Sequence, residues 1–267
     1  MIKTVLARFQ QGHRTIRFPA GDPPTLPDRF RGRPIIDRTQ CPRNCRVCVD
    51  ACPTGAIELS PTGARIDMGR CLFCTDCTQA CPNGALTHSA DYRLAVRKCA
   101  DLIVDQERQQ LPLATELASE LKSLLGRSLK LRQVSAGGCG ACEADTNVLN
   151  TVGWDLGRFG IQFVASPRHA DGLLVTGPVS GNMELALRKT YDAVPAPKIV
   201  IAVGACAVSG GPYAGHAEVR NGAAAIVPVD LFIPGCPPHP LTILDGLLRL
   251  LGRIPTGSNR LTPCPQV

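Results

Sequence analysis

Ile199-Val-Ile-Ala-Val-Gly-Ala-Cys206 is an apolar, β-branched run of strand length that ends in a glycine and a cysteine. Two further runs of this kind lead to cysteines, Val134-Ser-Ala-Gly-Gly-Cys139-Gly-Ala-Cys142 and Val229-Asp-Leu-Phe-Ile-Pro-Gly-Cys236. In an open parallel sheet, ligands bind outside the carboxyl ends of the strands. Three strand ends therefore bring four thiols to one place, enough to ligate one tetrahedral metal ion or one cubane iron–sulfur cluster.

The segments around these runs alternate between strand-like and helix-like patterns over residues 129–254. The predicted strands are Leu129–Val134, Ile161–Ala165, Leu173–Gly177, Ile199–Gly204 and Val229–Ile233. The predicted helices are Glu143–Thr151, Met183–Tyr191 and Pro240–Leu251. This alternation predicts an α/β fold with a flavodoxin-like parallel sheet and helices on both faces. Residues 255–267 contain several prolines and predict an irregular tail.

Eight cysteines are concentrated in residues 41–90, which show an internal repeat. Cys52-Pro-Thr-Gly-Ala-Ile matches Cys81-Pro-Asn-Gly-Ala-Leu. The second half, Cys71-x2-Cys74-x2-Cys77-x3-Cys81-Pro82, has the spacing of bacterial ferredoxins, in which three cysteines bind one cluster and the fourth binds the other. The pattern predicts a small α+β ferredoxin domain with two 4Fe-4S clusters.

The first half, Cys41-x3-Cys45-x2-Cys48-x3-Cys52-Pro53, has a first gap one residue longer than usual. The loop must bulge to keep Cys41 in reach, so Cys41 is either a full or a weak ligand. Crossed ligation gives three predicted sets, which we call set 1, set 2 and set 3. Set 1 is Cys41, Cys45, Cys48 and Cys81; set 2 is Cys71, Cys74, Cys77 and Cys52; set 3 is Cys139, Cys142, Cys206 and Cys236.

Two segments flank the ferredoxin pattern. Residues 1–40 form a basic arm, interpreted either as a solvated extension or as a surface that docks onto a partner subunit or an anionic membrane. Residues 91–128 are predicted to be a helical connector, because four leucines follow helical spacing and Gly126 is a plausible stop. These leucines are Leu117, Leu121, Leu124 and Leu125.

The composition limits the function classes. No run of eighteen apolar residues is present, and the first residues lack a long apolar signal core, so the expected location is the cytoplasm. In that compartment the chain's 14 cysteines are expected to be metal ligands rather than disulfides. The formal charge of +7 suggests nucleic acid, but three clusters of net −2 would reduce it to about +1. A zinc module is the competing interpretation, but the sequence lacks the spaced histidine pair that would support it. The sequence also lacks a phosphate-binding glycine motif, so phosphate binding by the glycine-rich loops is not supported.

Several motifs in residues 129–252 resemble the small subunit of energy-converting, membrane-associated nickel–iron hydrogenases, including that of formate hydrogenlyase. They are Gly138-Cys-Gly-Ala-Cys-Glu143, Ser166-Pro-Arg-His-Ala-Asp171, Val175-Thr-Gly-Pro-Val, Val203-Gly-Ala-Cys206-Ala and Pro234-Gly-Cys-Pro-Pro-His-Pro240. The complex I B subunit belongs to the same superfamily but carries adjacent cysteines where this chain has Cys139-x2-Cys142. Residues 26–90 resemble the two-cluster ferredoxin subunit of the same complexes, including Arg29-Phe-Arg-Gly-Arg-Pro. Those two modules are usually separate chains, and here they are joined.

The resemblance implies three 4Fe-4S clusters and an oxidoreductase subunit that is not catalytic alone. It further implies a hydrogenase-like or complex I-like large subunit as partner, membrane subunits of the same complex, and a peripheral position on the inner face of the cell membrane. The expected function is electron relay in a formate hydrogenlyase-like hydrogenase; the alternative is a complex I-like, quinone-linked oxidoreductase without nickel. No nucleic acid is expected, and the electron donor or acceptor stays open.

Four residues near the predicted ligands have open roles. Cys99 and Cys264 are left over after twelve ligands are assigned and are interpreted as inert thiols. His239 is either a donor to a cluster sulfur or a structural histidine. Glu143 is either a contact for the partner subunit or an acid at a helix N-terminus, where negative charge is favourable.

Overall fold

The computed structural model describes residues 2–12, 14–42, 45–61 and 63–254. The predicted tail 255–267, with Cys264, lies outside the described residues, as do Arg43 and Asn44 of the irregular first gap. Within the described ranges, no helix combines the length and the apolar character needed to cross a membrane.

The ferredoxin-like module contains short elements around two small sheets. After an N-terminal helix, α1 (Ile2–Gln11), the elements are β1 (Pro34–Ile36), α2 (Val47–Asp50), β2 (Ile57–Ser60), β3 (Gly63–Asp67), α3 (Asp76–Ala80), β4 (Leu86–His88) and β5 (Ile103–Asp105). Strand β1 pairs antiparallel with β4, and β2, β3 and β5 form a second antiparallel sheet in that order. Antiparallel pairing between the two halves agrees with the small α+β domain predicted from the repeat.

The larger module follows a short helix, α4 (Ser119–Leu125). Its elements are β6 (Leu129–Ser135), α5 (Ala141–Val148), β7 (Ile161–Phe163), β8 (Gly172–Thr176), α6 (Gly181–Ala193), β9 (Ile199–Val203), α7 (Ala205–Ser209), β10 (Leu231–Ile233) and α8 (Pro240–Leu250). The strands form one parallel sheet in the order β7-β6-β8-β9-β10. That is the flavodoxin-like order, so the predicted α/β fold is confirmed.

Successive side chains along each strand point alternately into two hydrophobic cores, one on each face of the sheet. In β9, Ile201 faces one core together with Leu244 of α8, and Val200 faces the other together with Leu187 of α6. Residues buried on both faces explain why the strands are continuous apolar runs. Helices therefore cover both faces, as predicted.

The second core is shared between the two modules. Met68, Phe73 and Leu102, from the ferredoxin-like side, belong to the same buried cluster as Val175 and Val208 of the sheet module. The hydroxyl of Ser209 donates to the carbonyl of Gly69 at 2.8 Å across this junction. The ferredoxin-like module is thus packed firmly against the α7 side of the sheet.

The prediction of a helical connector over residues 91–128 is wrong for most of its length. Only Ser119–Leu125 is α-helical, ending before Gly126 as expected. Upstream, Val96 forms a bridge with Phe232, and β5 adds a strand to the ferredoxin-like sheet. These long-range backbone pairings satisfy the connector's hydrogen bonds without a helix.

The interpretation of residues 1–40 as a solvated extension is also wrong for much of the arm. Phe18 is buried at 5% exposure in the first core, and β1 is paired within the ferredoxin-like module. Arg158 donates to the carbonyls of Ile16 and Phe18 at 2.6 and 2.9 Å. Within the arm, helix α1 has no buried residue.

Candidate metal centres

Set 2 surrounds an apolar cavity in the ferredoxin-like module. Cys52, Cys71, Cys74 and Cys77 all line it, together with Ile57 and Ile66. Burial, followed by the neighbouring Cys77, Cys52 and Cys74 thiols, raises the pKa of the Cys71 thiol to about 12. A set of thiols that disfavour one another's ionisation requires a cation, such as cluster iron, to hold them as thiolates.

Backbone groups turn toward these sulfurs. The amides of Ala56 and Phe73 donate to Cys52 Sγ and Cys71 Sγ at 3.2 and 3.3 Å. Phe73 and Thr75 both have positive φ, at 55° and 77°, which wraps the loop tightly around the cavity. Strained non-glycine backbone of this kind is concentrated at functional sites, and N–H donors to sulfur raise the potential of a bound cluster.

Set 1 lies beside set 2. Burial raises the pKa of the Cys48 thiol, with further contributions from Cys41, Cys45 and Cys81. Burial raises the pKa of the Cys41 thiol, followed by the effects of Cys45 and Cys81, so Cys41 lies near the other thiols of set 1 despite the longer gap. Cys81 thus lies with the first half of the repeat and Cys52 with the second, as crossed ligation requires.

Set 3 gathers at the carboxyl ends of the sheet strands. Cys139 follows β6, Cys142 lies in the first turn of α5, Cys206 lies in α7 after β9, and Cys236 follows β10. Burial raises the pKa of Cys142 to about 12, followed by the effects of Cys206, Glu143, Cys236 and Cys139. Cys139 and Cys236 are exposed, so set 3 opens onto the protein surface.

Two glycines allow the backbone to approach set 3. Gly204 has φ of 91°, and a Cβ there would lie 2.4 Å from Cys142 Sγ. At Gly211, with φ of 56°, a Cβ would lie 2.8 Å from Cys206 Sγ. Both positions require glycine for its backbone conformation and for its lack of a side chain.

Single ions and clusters place different demands on the positions of their thiol ligands. In the part of the chain that the structure describes, no three His, Cys, Asp or Glu side chains converge closely enough to hold one metal ion. Tetrahedral zinc needs four sulfurs at about 2.3 Å from one point. A cubane instead distributes four thiolates over four irons, so its ligands need not converge on one point.

Sets 2 and 3 face each other across the junction of the modules. Cys74 and Cys236 line one cleft of about 500 Å³, together with Arg29, Arg31 and His239. After burial and Cys139, Cys74 is the next group that raises the pKa of the Cys236 thiol. Cys48 likewise contributes to the raised pKa of Cys77. The three sets therefore follow one another in the order 1, 2, 3.

Glu143 and His239 have defined structural contacts. Glu143 accepts hydrogen bonds from Ser135 Oγ and Thr176 Oγ1 at 2.5 and 2.6 Å. Burial opposes ionisation of Glu143, but these hydroxyls outweigh it and lower the pKa of the carboxyl. His239 caps α8, its Nδ1 accepting from the Leu241 amide at 3.1 Å, and burial lowers its pKa. Both side chains therefore have structural roles within the chain, Glu143 as a hydrogen-bond acceptor beside β6 and β8 and His239 as the cap of α8.

His88 lines the set 2 cavity, although no sequence pattern pointed to it. Its Nδ1 lies 3.2 Å from the Gly32 carbonyl, and its buried Nε2 has no hydrogen-bond partner. No spacing rule links His88 to the cysteines, because only the pairing of β4 with β1 places it there. Cys99 is exposed and belongs to none of the three sets.

Residues 139–250 match the family described as NADH ubiquinone oxidoreductase, 20 kDa subunit, and residues 40–85 match a 4Fe-4S dicluster domain. The chain is 40% identical over 136 residues to the probable membrane-bound hydrogenase subunit mbhJ of Pyrococcus furiosus, covering 51% of this chain and 81% of that protein. It is 44% identical over 113 residues to the NADH-quinone oxidoreductase B subunit of Desulfovibrio desulfuricans, covering 42% of this chain and 61% of that protein.

A second NADH-quinone oxidoreductase B subunit, from Bacteroides thetaiotaomicron, is 40% identical over 131 residues, covering 47% of this chain and 66% of that protein. Among solved structures, a chain of the membrane-bound sulfane sulfur reductase, an archaeal respiratory membrane complex, is 32% identical. That match covers 53% of this chain and 78% of the solved chain, with a TM-score of 0.45.

Proposed function

Because the chain belongs to the NADH ubiquinone oxidoreductase 20 kDa subunit family and carries an N-terminal 4Fe-4S dicluster domain, we propose that it relays electrons through three 4Fe-4S clusters. The chain is an iron–sulfur subunit of a membrane-bound hydrogenase or a complex I-like oxidoreductase. Of these two, we propose a hydrogenase of the formate hydrogenlyase type. Sets 1, 2 and 3 would hold the clusters, and a catalytic large subunit would cover set 3.

The observation that carries this proposal is the continuous order of the thiol sets. Cys48 and Cys77 bring sets 1 and 2 together, and Cys74 and Cys236 bring sets 2 and 3 together. Bound clusters would supply one-electron transfer. The chain's contribution is to fix the thiols in series and to surround set 2 with apolar side chains that exclude water.

The surface position of set 3 supports a partner at that place. Cys139 and Cys236 are exposed, so a covering subunit would lie next to a cluster held there. The chain keeps no further pair of CxxC motifs for an active-site nickel after its twelve ligands are assigned. We therefore propose that hydrogen chemistry belongs to the large subunit, and that the chain is held at the inner membrane face through partner subunits.

Iron analysis and spectroscopy test the cluster assignment. Anaerobic reconstitution should give about twelve irons per chain, at four per cubane. Cys206→Ala should lower this number to about eight while the ferredoxin-type signals in low-temperature electron paramagnetic resonance persist. Cys77→Ala should instead disrupt the ferredoxin-type signals while the signal of the set 3 cluster persists. Cys99→Ala is the matched control and should keep about twelve. About four irons in the unaltered chain, or stoichiometric zinc, would contradict three clusters.

Copurification tests the partner. The chain should be recovered with a hydrogenase-like large subunit, and the complex should reduce a dye with hydrogen while the isolated chain does not. Hydrogen-dependent turnover by the chain alone would contradict the proposal.

A complex I-like oxidoreductase without nickel is the second candidate, favoured by the 44% identity to an NADH-quinone oxidoreductase B subunit. Cys139-x2-Cys142 favours the hydrogenase, because the complex I pattern has adjacent cysteines. The large subunit's sequence distinguishes the two: a CxxC near each end indicates nickel, and their absence indicates the complex I-like partner.

A further inference from the structure

Helix α1 presents an exposed apolar stripe on its surface. Ile2, Val5, Leu6 and Phe9 follow the spacing i, i+3, i+4, i+7 and therefore share one face. Their exposed fractions are 78%, 55%, 54% and 81%. A surface helix normally turns such a stripe toward the core, but no residue of α1 is buried. The stripe is thus available to an external partner.

Cations flank this stripe on both sides. At about 100° per residue, Lys3 and Arg8 fall on opposite borders of the apolar face. Arg14 and Arg17 follow, and no acidic residue precedes Asp22. A helix with a narrow apolar face and cations on both sides can lie in the interface of an anionic bilayer. The apolar face enters the bilayer, and the charged ends of the lysine and arginine side chains reach the headgroups.

The helix is tethered close to the body of the protein. Gly12, with φ of 60° and open space around its Cα, follows the last helical residue. A few residues later, Ile16 donates to the Gly153 carbonyl at 2.9 Å, and Phe18 enters the core. Beside this anchor, Val152 is 70% exposed. A bilayer bound by α1 would therefore lie near one fixed edge of the sheet module.

We propose that α1 binds directly to the surface of an anionic lipid bilayer, with Ile2, Val5, Leu6 and Phe9 inserted and Lys3 and Arg8 at the headgroups. Charge complementarity selects this occupant, because the cations on both borders match a uniformly anionic surface. The binding is a property of the chain itself and goes beyond attachment through partner subunits. It does not depend on the proposed electron transfer.

Vesicle flotation with the full-length, cluster-loaded chain tests the proposal. The chain should float with vesicles of phosphatidylcholine containing about one third phosphatidylglycerol and much less with pure phosphatidylcholine. Added salt should weaken binding, since the headgroup attraction is screened within about 10 Å at 0.1 M.

Val5→Glu and Thr4→Glu form a matched pair. Both replace an exposed, β-branched residue of α1 with glutamate and remove one net positive charge, but only Val5 lies on the stripe. Thr4→Glu should weaken partition into the anionic vesicles by up to about fivefold, the charge effect that both variants share. Val5→Glu should weaken it roughly tenfold further, the effect of losing one buried valine. Neither should change the iron content, because neither residue is buried.

Three results would overturn the proposal. The unaltered chain could fail to float with anionic vesicles at low salt. The two variants could lose binding equally, which would leave charge alone as the cause. Alternatively, Val5→Glu could leave flotation intact while reducing self-association or recovery with partner subunits, which would make the stripe a protein-docking surface.

Discussion

Gly204 lies where β9 turns into α7, and the backbone there passes directly beside a predicted cluster ligand. Its φ is 91°, and a Cβ would meet Cys142 Sγ at 2.4 Å. Cys142 is well inside set 3, so it has little room to move away from a side chain. One hydrogen-to-methyl change at this position therefore acts on cluster assembly in addition to straining the backbone.

We expect Gly204→Ala to prevent assembly of the third cluster, because alanine is strained at this φ and its methyl displaces the Cys142 thiol. Iron content should fall by about four per chain, while the ferredoxin-type signals stay. Gly153→Ala is the control, since a Cβ there meets nothing within 4 Å. Full iron content in Gly204→Ala would show that the loop adapts, contrary to this expectation.

At the level of secondary-structure elements, the connector joins the two modules instead of separating them. Strand β5 pairs with β3, and the adjoining turn Cys99–Leu102 places Leu102 at the junction with the sheet module. A Cβ on Gly69 would lie 2.9 Å from Val208 and 3.2 Å from Leu102, so the Gly69 backbone packs closely against these two side chains. The relative position of sets 2 and 3 depends on this packing.

We expect Leu102→Ala to lower the free energy of unfolding by about 2–5 kcal/mol, as for other large-to-small core changes. Leu102 is fully buried, and because the core is shared, both modules should lose stability in one transition. Urea unfolding followed by the spectra of the separate clusters measures this. Leu124→Ala is the control, because Leu124 is 62% exposed and its loss should cost no more than about 0.5 kcal/mol. Two separate transitions would contradict the shared core.

Across the molecule, cofactor binding and pH are linked through partly buried thiols of sets 2 and 3. Burial raises the pKa of Cys71 and Cys142 to about 12, and that of Cys77 and Cys206 to about 11, from an ordinary 9.0. Without clusters, the folded chain keeps these thiols protonated where the unfolded chain ionises them. Their contribution to stability is therefore complete below pH 9 and is lost as pH rises toward 12.

We expect the cluster-free chain to become less resistant to urea between pH 9 and 10.5, and the loaded chain to lose much less. In the loaded chain the thiolates are already bound to iron, so they release no further protons. Unfolding midpoints of both forms at pH 7, 9 and 10.5 measure the difference. A cluster-free midpoint that is constant over this range would show that the thiols are not protonated in the fold.

Local sequence patterns were enough to predict the parallel sheet and its flanking helices, and they predict the grouping of the cysteines. Strand runs and helical periodicity can be read over a few residues, and the ferredoxin spacing limits which thiols can reach one cubane. Boundaries differ by up to three residues, as for Glu143–Thr151 against the observed Ala141–Val148. The five-residue helix α7 was missed, because it is too short to show a period.

The way the two modules meet depends on tertiary contacts alone. The leucine spacing favoured a helical connector, but pairing of β5 with β3 and of Val96 with Phe232 satisfied that backbone in extended form. The approach of Cys74 to Cys236, and of His88 to the set 2 cavity, likewise depends on contacts between residues far apart in sequence. No local pattern encodes such contacts, because their stability comes from the shared core that forms only when both modules pack together.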